Sequence, residues 1–324
     1  MSSGSLSGSA DLNRNKLRVF NIARMTLLSG PGMRTLVHFK GCPLRCMWCS
    51  TPESQSDRLQ LAYIESRCIQ CGKCIAGCPV QALSMQDGKA EKTGKAQGIV
   101  IDRDICRECF TCANNCNSRA LSVIGRDYSV SGLLREIKKD EVFFRNSGGG
   151  VTFSGGEPLM HIDDAMLELY HGVKAAGISI GVDTSGYISP EGLEKMYPLV
   201  DFFLWDIKCM DARKHKKFTG VDNRIILNNL HFVSEMNRPV YLRCPMITGF
   251  NDSDADLRQI CLYAAGIRSL VEIDLLPLHH LGKARYLQLG LEYPLDDTCP
   301  PGDEVMEEKR KLVESYGFVC KITG

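Results

Sequence analysis

Eleven of the sixteen cysteines in this 324-residue chain fall into three tight groups, and the groups are not alike. Cys42, Cys46 and Cys49 are spaced C-x3-C-x2-C inside GCPLRCMWCS. Cys68, Cys71, Cys74 and Cys78 are spaced C-x2-C-x2-C-x3-C and run into a proline; Cys106, Cys109, Cys112 and Cys116 repeat that spacing. So many thiols limit what the surrounding segment can become. Residues 52–128 have few long periodic stretches, so a fold there needs bound metal in place of a large core. Two groups are complete four-ligand sets and one is short by a ligand. A metal wrapped in thiolates carries electrons or holds structure, whereas one with an open position can do chemistry.

The rest of the chain supplies ordinary globular material. Over the full 324 residues the hydrophobic content is 44% and the charged content 24%, enough for one large α/β domain plus a small one. A net charge of +1 gives no electrostatic reason to expect nucleic acid or an acidic membrane surface as partner. No apolar run approaches the roughly 20 residues that span a bilayer. The opening MSSGSLSGSADLN has no apolar h-region and reads as a flexible tail over residues 1–16. With no export signal, the cysteines are expected in a reducing cytoplasm, where metal sites outweigh disulfides.

From Val130 onward the rhythm changes. Candidate strands are Val151–Phe153, Ile178–Val182, Phe202–Ile207, Val240–Cys244 and Leu270–Leu276, with an earlier one at Thr35–Phe39. Helix-like stretches lie between them at Asp163–Ala175, Pro190–Met196, Arg224–Met236 and Ser253–Ala265. This alternation predicts a parallel sheet in barrel or partial-barrel form, with chemistry at the carboxyl ends of the strands. The distinctive residues follow the apolar runs, as that arrangement requires: Cys42, Ser154–Glu157, Asp183–Gly186, Asp206–Lys208 and His279.

The two four-cysteine runs have the two-cluster ferredoxin spacing, in which the last cysteine of each run ligates the other cluster. One set is then Cys68, Cys71, Cys74 and Cys116, and the other Cys106, Cys109, Cys112 and Cys78. Asn117 stands where the pattern has a second proline. Structural zinc also takes four cysteines and is the competing reading.

The C-x3-C-x2-C group resembles the signature of the radical S-adenosylmethionine (SAM) superfamily, with Trp48 in the aromatic place before the last cysteine. SGGGVTFSGGEPL (Ser147 to Leu159), GPG-x-RT (Gly30 to Thr35), DTSG (Asp183 to Gly186), DIK (Asp206 to Lys208) and LPLHHLGK (Leu276 to Lys283) narrow the resemblance to the glycyl radical enzyme activating enzymes. It runs from about residue 17 to the C-terminus.

That resemblance implies an α/β fold: a partial (β/α)6 TIM-type barrel from residues 17–51 and 129–324, with a ferredoxin-like α+β insert at 52–128 carrying two [4Fe–4S] clusters. It implies an oxidoreductase with a third cluster, on Cys42, Cys46 and Cys49, whose open iron binds SAM. SAM is cleaved to a 5′-deoxyadenosyl radical that takes a hydrogen from one glycine of a partner enzyme, with reduced flavodoxin or ferredoxin as electron donor. Ser154, Gly155, Gly156 and Glu157 are expected to hold the methionyl end, the Glu157 carboxylate offered to its ammonium. Asp183, Ser185, Lys208, Arg243 and His279 are expected to line the same pocket, Lys208 beside the catalytic cysteines. Asp183, Thr184 and Asp206 are expected to take a monovalent cation.

Each single residue also has a plainer reading. Asp183–Thr184 would cap a helix, Lys208 would be solvated and His279 a core histidine. His280 is expected on the outside, Cys209, Cys244, Cys261, Cys299 and Cys320 as small buried hydrophobes, and Arg213–Lys217 as a solvated face. Two departures from the family pattern, Ser29 in place of Asp and Ser50-Thr51 in place of His-Asn, leave the identity of the partner open. Other readings are a radical SAM enzyme acting on a small molecule and, more remotely, a ferredoxin-type electron carrier.

Iron counting after anaerobic reconstitution is expected to give about twelve irons per chain for three four-iron clusters. A count of about four would remove both clusters of residues 52–128.

Overall fold

The computed structural model describes residues 16–85 and 98–323, so the expected tail lies outside the described residues apart from residue 16. In chain order the strands are β1 (Leu17–Thr26), β2 (Arg34–Phe39), β3 (Gln60–Tyr63), β4 (Leu83–Met85), β5 (Ile99–Ile101), β6 (Leu121–Ile124), β7 (Arg126–Tyr128), β8 (Gly150–Gly155), β9 (Ser179–Thr184), β10 (Phe202–Asp206), β11 (Val240–Met246), β12 (Leu270–Pro277) and β13 (Cys320–Ile322). The helices are α1 (Lys73–Ala76), α2 (Thr111–Asn114), α3 (Val130–Lys138), α4 (Glu141–Ser147), α5 (Asp164–Ala175), α6 (Pro190–Met196), α7 (Ala212–Thr219), α8 (Arg224–Glu235), α9 (Asp254–Ala264), α10 (Lys283–Gln288) and α11 (Asp303–Glu314).

Nine of these strands form one sheet in the order β13-β12-β11-β10-β9-β8-β2-β1-β7. From β13 to β2 every neighbouring pair is parallel. β1 runs antiparallel to both β2 and β7. The six parallel strands β2 and β8–β12 are those the apolar runs predict, and β13 is a seventh. From β8 to β13 spatial order follows chain order, so each crossover returns the chain to the adjacent position. β7 departs from expectation: it lies within residues 52–128 yet belongs to the large sheet. The strands with connecting helices are buried on both faces, as parallel strands under crossovers must be; five of the six β8 residues are buried.

Helix starts are written in the sequence. Asp163, Ser189 and Ser253 accept the backbone N–H groups of Met166, Gly192 and Asp256, and Pro190 occupies the first turn of α6. The basic run Arg213–Lys217 lies in α7, capped by Asp211, and is not wholly solvated: His215 is buried and bonded to the Val221 carbonyl.

Residues 60–124 contribute two small antiparallel pairs, β3 with β6 and β4 with β5. Each four-cysteine run folds through the same backbone. Gln70, Gly72 and Gln81 have positive φ around the first run, and Glu108, Phe110 and Arg119 repeat those values around the second. Each run carries a one-turn helix, α1 or α2, with a buried third cysteine, Cys74 or Cys112. Amides return to the last cysteines, Ala82 N–H to Cys78 Sγ and Leu121 N–H to Cys116 Sγ. The apolar cluster around these cysteines has only seven buried members, two of them Cys74 and Cys112 themselves.

Arg34 fastens the strands on which the site depends. It is fully buried and donates to Thr152 Oγ1 (2.7 Å) and to the carbonyls of Val151 (2.7 Å), Ser179 (2.9 Å) and Pro31 (3.0 Å), with its guanidinium 4.7 Å from the centre of the Phe202 ring. Burial lowers its pKa to about 10, with Asp201 pulling the other way, so it remains charged at neutral pH. Its neighbour Thr35 donates to Asp140, which also accepts from Arg24. The Arg-Thr pair is therefore scaffolding across β2, β8 and β9. Arg34→Leu removes the bonds to Thr152, Val151, Ser179 and Pro31 and is expected to lower unfolding free energy by about 3 kcal/mol in urea titration; a loss under about 1 kcal/mol would contradict this role.

Candidate active site

The three cysteines of the incomplete group sit on the loop that follows β2. Gly41 turns the chain with φ +100°, and its N–H reaches the Ser54 carbonyl at 2.7 Å. The loop is then anchored from several sides. Arg45 and Met47 donate to the carbonyls of Thr219 and Phe218, and Trp48 packs on Phe250 at 4.9 Å between ring centres. Gly282, at the start of α10, lies against Cys49 and Ser50, where a Cβ would come within 3.0 Å. Further along α10, Arg285 pairs with Glu53, and Arg103 donates to the Gln288 carbonyl at 3.4 Å.

The Ser154–Glu157 turn passes under this loop. Gly156 donates to the Phe39 carbonyl and Glu157 to the Gly41 carbonyl at 2.8 Å. A Cβ on Gly156 would stand 2.0 Å from the Gly41 oxygen, and one on Gly155, where φ is +108°, 2.5 Å from Phe39. Only glycine permits that crossing.

One cavity of about 390 Å³ gathers nearly all the expected site residues. Cys42, Cys46, Cys49, Ser154, Gly155, Gly156, Asp183, Thr184, Ser185, Asp206, Lys208, Arg243 and His279 line it, together with Ser29 from the β1–β2 loop. They come from the carboxyl ends of β2, β8, β9, β10, β11 and β12. The plainer readings of these residues fall away. Asp183 and Thr184 end a strand and cap no helix, and Lys208 is 8% exposed. His279 is exposed at the cavity rim, its Nδ1 accepting from Leu281 N–H.

Glu157 differs from expectation. It is 2% exposed and does not line the cavity. Its carboxylate accepts from Thr184 Oγ1 (2.6 Å), Ser185 Oγ (2.6 Å) and Ser185 N–H (2.9 Å). Burial raises its pKa against the pull of those bonds, Ser185 first. A carboxylate so occupied shapes the Thr184–Ser185 turn from beneath.

Charges inside the cavity are paired. Lys208 Nζ stands 2.6 Å from Asp206, and Arg243 Nη1 lies 3.2 Å from Asp183 Oδ2, which also accepts from Ser154 Oγ at 2.8 Å. Burial penalises the Lys208 ammonium most, yet Asp206 and the Cys46 sulfur together outweigh it and raise its pKa. Burial pushes the Cys46 thiol up to about 12, with Lys208 opposing; Cys42 and Cys49 are also raised, chiefly by burial. Such thiols ionise when a cation binds them.

Two site features had no sequence signal. His38 on β2 lines the cavity beside Ser154, its Nδ1 buried without a partner and its pKa lowered to about 4 by burial and then by Arg285. Asn251 is buried and donates to the carbonyls of Lys208 and Pro245, clamping the ends of β10 and β11. Two expectations fail nearby. His280 is half-buried against the Tyr293 hydroxyl (3.1 Å), and Cys299 is exposed while Cys209, Cys244, Cys261 and Cys320 are buried.

At the other end of the chemistry, Cys68, Cys71, Cys74 and Cys116 line one small cavity. That is the crossed set the ferredoxin spacing requires. Among the described residues, no three His, Cys, Asp or Glu side chains converge on a single ion. A four-iron cluster asks something different of its thiolates, one for each iron.

The chain is similar to known proteins along most of its length. A family model described as the radical SAM superfamily matches residues 106–261, beginning after the first cysteine group, and a 4Fe-4S dicluster domain matches residues 67–120. The chain is 39% identical to the choline trimethylamine-lyase activating enzyme of Oleidesulfovibrio alaskensis, covering 95% of this chain and 98% of that one. It is 37% identical to the trans-4-hydroxy-L-proline dehydratase activating enzyme of Clostridioides difficile, over 94% of this chain and 99% of the relative. The indoleacetate decarboxylase activating enzyme of Tractidigestivibacter scatoligenes is also 37% identical, over 95% and 97%. With this identity sustained along almost its whole length, the chain belongs to the glycyl radical enzyme activating enzymes of the radical SAM superfamily.

Proposed function

We propose that the cavity under the Cys42–Cys49 loop holds SAM against a four-iron cluster and admits the glycine-bearing segment of a partner enzyme. Residues 17–51 and 129–324 are read as a partial (β/α)6 barrel. Residues 52–128 are read as a ferredoxin-like domain with two more clusters, β7 being shared with the barrel. The observation that carries the proposal is the meeting, in one cavity at the carboxyl ends of parallel strands, of a three-thiol set with paired charges. When bound, the cluster and SAM supply a 5′-deoxyadenosyl radical that takes a hydrogen atom from a glycine of the partner.

The protein's own residues prepare that event. Three half-buried thiols would accept iron in place of protons, and the Lys208 ammonium, close enough to oppose the rise of the Cys46 pKa, balances part of the negative charge that results. Gly155 and Gly156 let backbone, in place of side chain, form the wall beside the cysteines. Arg243 and Asp183 offer opposite charges to the carboxylate and ammonium of an amino-acid end. His279 closes the rim. Glu157 acts beneath the site by fixing Ser185 and Thr184. The proposed monovalent cation at Asp183, Thr184 and Asp206 would share groups already bonded to Arg243, Glu157 and Lys208.

The sets at Cys68–Cys116 and Cys106–Cys78 are read as an electron entry fed by reduced flavodoxin or ferredoxin. The reducing cytoplasm suits these thiols. Among the described residues, no helix is long and apolar enough to cross a membrane.

Replacing Cys42, Cys46 and Cys49 together with Ala is expected to abolish SAM cleavage under dithionite while leaving about eight irons per chain. Persistent cleavage would refute the assignment of the catalytic cluster. Glu157→Gln sets an amide N–H2 against two of the four donors that meet the carboxylate, from Thr184, Leu159 and Ser185. It is expected to weaken SAM binding and to lower unfolding free energy by roughly 1–3 kcal/mol; unchanged SAM affinity would show that the Thr184–Ser185 turn does not depend on it.

A further inference from the structure

Arg243 on β11 and Asp274 on β12 are register partners in adjacent parallel strands. Each carries a buried polar atom with no partner: Nε of Arg243 and Oδ1 of Asp274. Asp274 is 9% exposed and does not line the cavity. Buried polar atoms are rarely left unpaired, and two of complementary kind side by side mark a bond waiting to be made. The cations that act on Asp274 are Arg243 and Lys321, and Lys321 is held by Glu272 at 2.6 Å. Arg243 is therefore the partner left to it. Burial, then Glu272, raises the Asp274 carboxyl, while Arg243 and Lys321 pull it down.

On its other side Arg243 is bound to Asp183 through Nη1. A ligand with an ammonium for Asp183 and a carboxylate for Arg243 must come between them, drawing the guanidinium off Asp183. The guanidinium has a donor to spare, because Nε–H points along a different edge of the plane from the Nη donors. We infer that Asp274 is a positioning residue for Arg243: its carboxylate takes the Nε–H when Asp183 turns to the ligand's ammonium, and so fixes the plane that meets the ligand's carboxylate. This inference rests on the reading that Arg243 binds SAM.

The test is a double-mutant cycle on SAM affinity, measured without reductant by equilibrium dialysis of labelled SAM with the anaerobically reconstituted chain. Asp274→Asn, nearly isosteric, is expected to weaken SAM about tenfold at unchanged Tm. The double variant with Arg243→Gln is expected to bind no more weakly than Arg243→Gln alone, and Asp274→Glu to recover part of the loss. If Asp274→Asn fails to fold, Asp274→Ser carries the same cycle. An unchanged Kd in the Asp274 variant, or the same factor with and without Arg243, overturns the inference and leaves the SAM pocket standing. An unchanged Kd in Arg243→Gln overturns the pocket assignment itself, and the inference with it.

Discussion

Gly156 passes so close to the Gly41 carbonyl that one methyl group would sit 2.0 Å from its oxygen, and the site depends on that approach. It brings the turn after β8 against the loop after β2, so the three thiols and the Ser154–Gly156 wall share one cavity. The bonds from Gly156 to Phe39 and from Glu157 to Gly41 continue the β2–β8 ladder past the ends of the strands. Arg34 holds the same pair of strands from their opposite ends through Val151 and Thr152. The site is thus the open end of a seam secured at both ends, which gives the preorganisation that a reactive centre needs.

Much of this was legible in the residues. Parallel strands buried on both faces read as unbroken apolar runs, and five such runs fall within a residue or two of β8–β12. Helices with Asp or Ser caps were found at nearly their observed bounds. The elements missed carry weaker signals. β1, paired between β2 and β7, has a mixed pattern of burial, and three-residue β7 has no periodicity at all. α7 reads as a charge run because half of its residues are Arg or Lys, although His215 and Thr219 anchor it.

Site residues were legible where a short motif fixed them and illegible where the fold alone brings them in. His38 sits in the middle of an apolar strand and Asn251 in a polar loop, so nothing local marks either. Glu157 shows the converse. The motif singles out the residue and leads to the expectation of a ligand contact, but it carries no sign that the carboxylate is buried and bonded to Ser185 and Thr184. Whether a carboxylate faces the cavity or lies beneath it depends on strand register between β8 and β9, which a single sequence does not print.

The segment bearing the eight further cysteines has the composition of a detachable module, with its own repeat and little core. The short helix α10 argues otherwise. It leans on Cys49 and Ser50 through Gly282, ties Glu53 through Arg285, and receives Arg103 from the cysteine-rich segment at its far end. The segment and the thiol loop are two walls braced by one strut. The chain could not shed its cysteine-rich segment as a domain is trimmed from a linker, because the thiol loop would lose part of its own foundation.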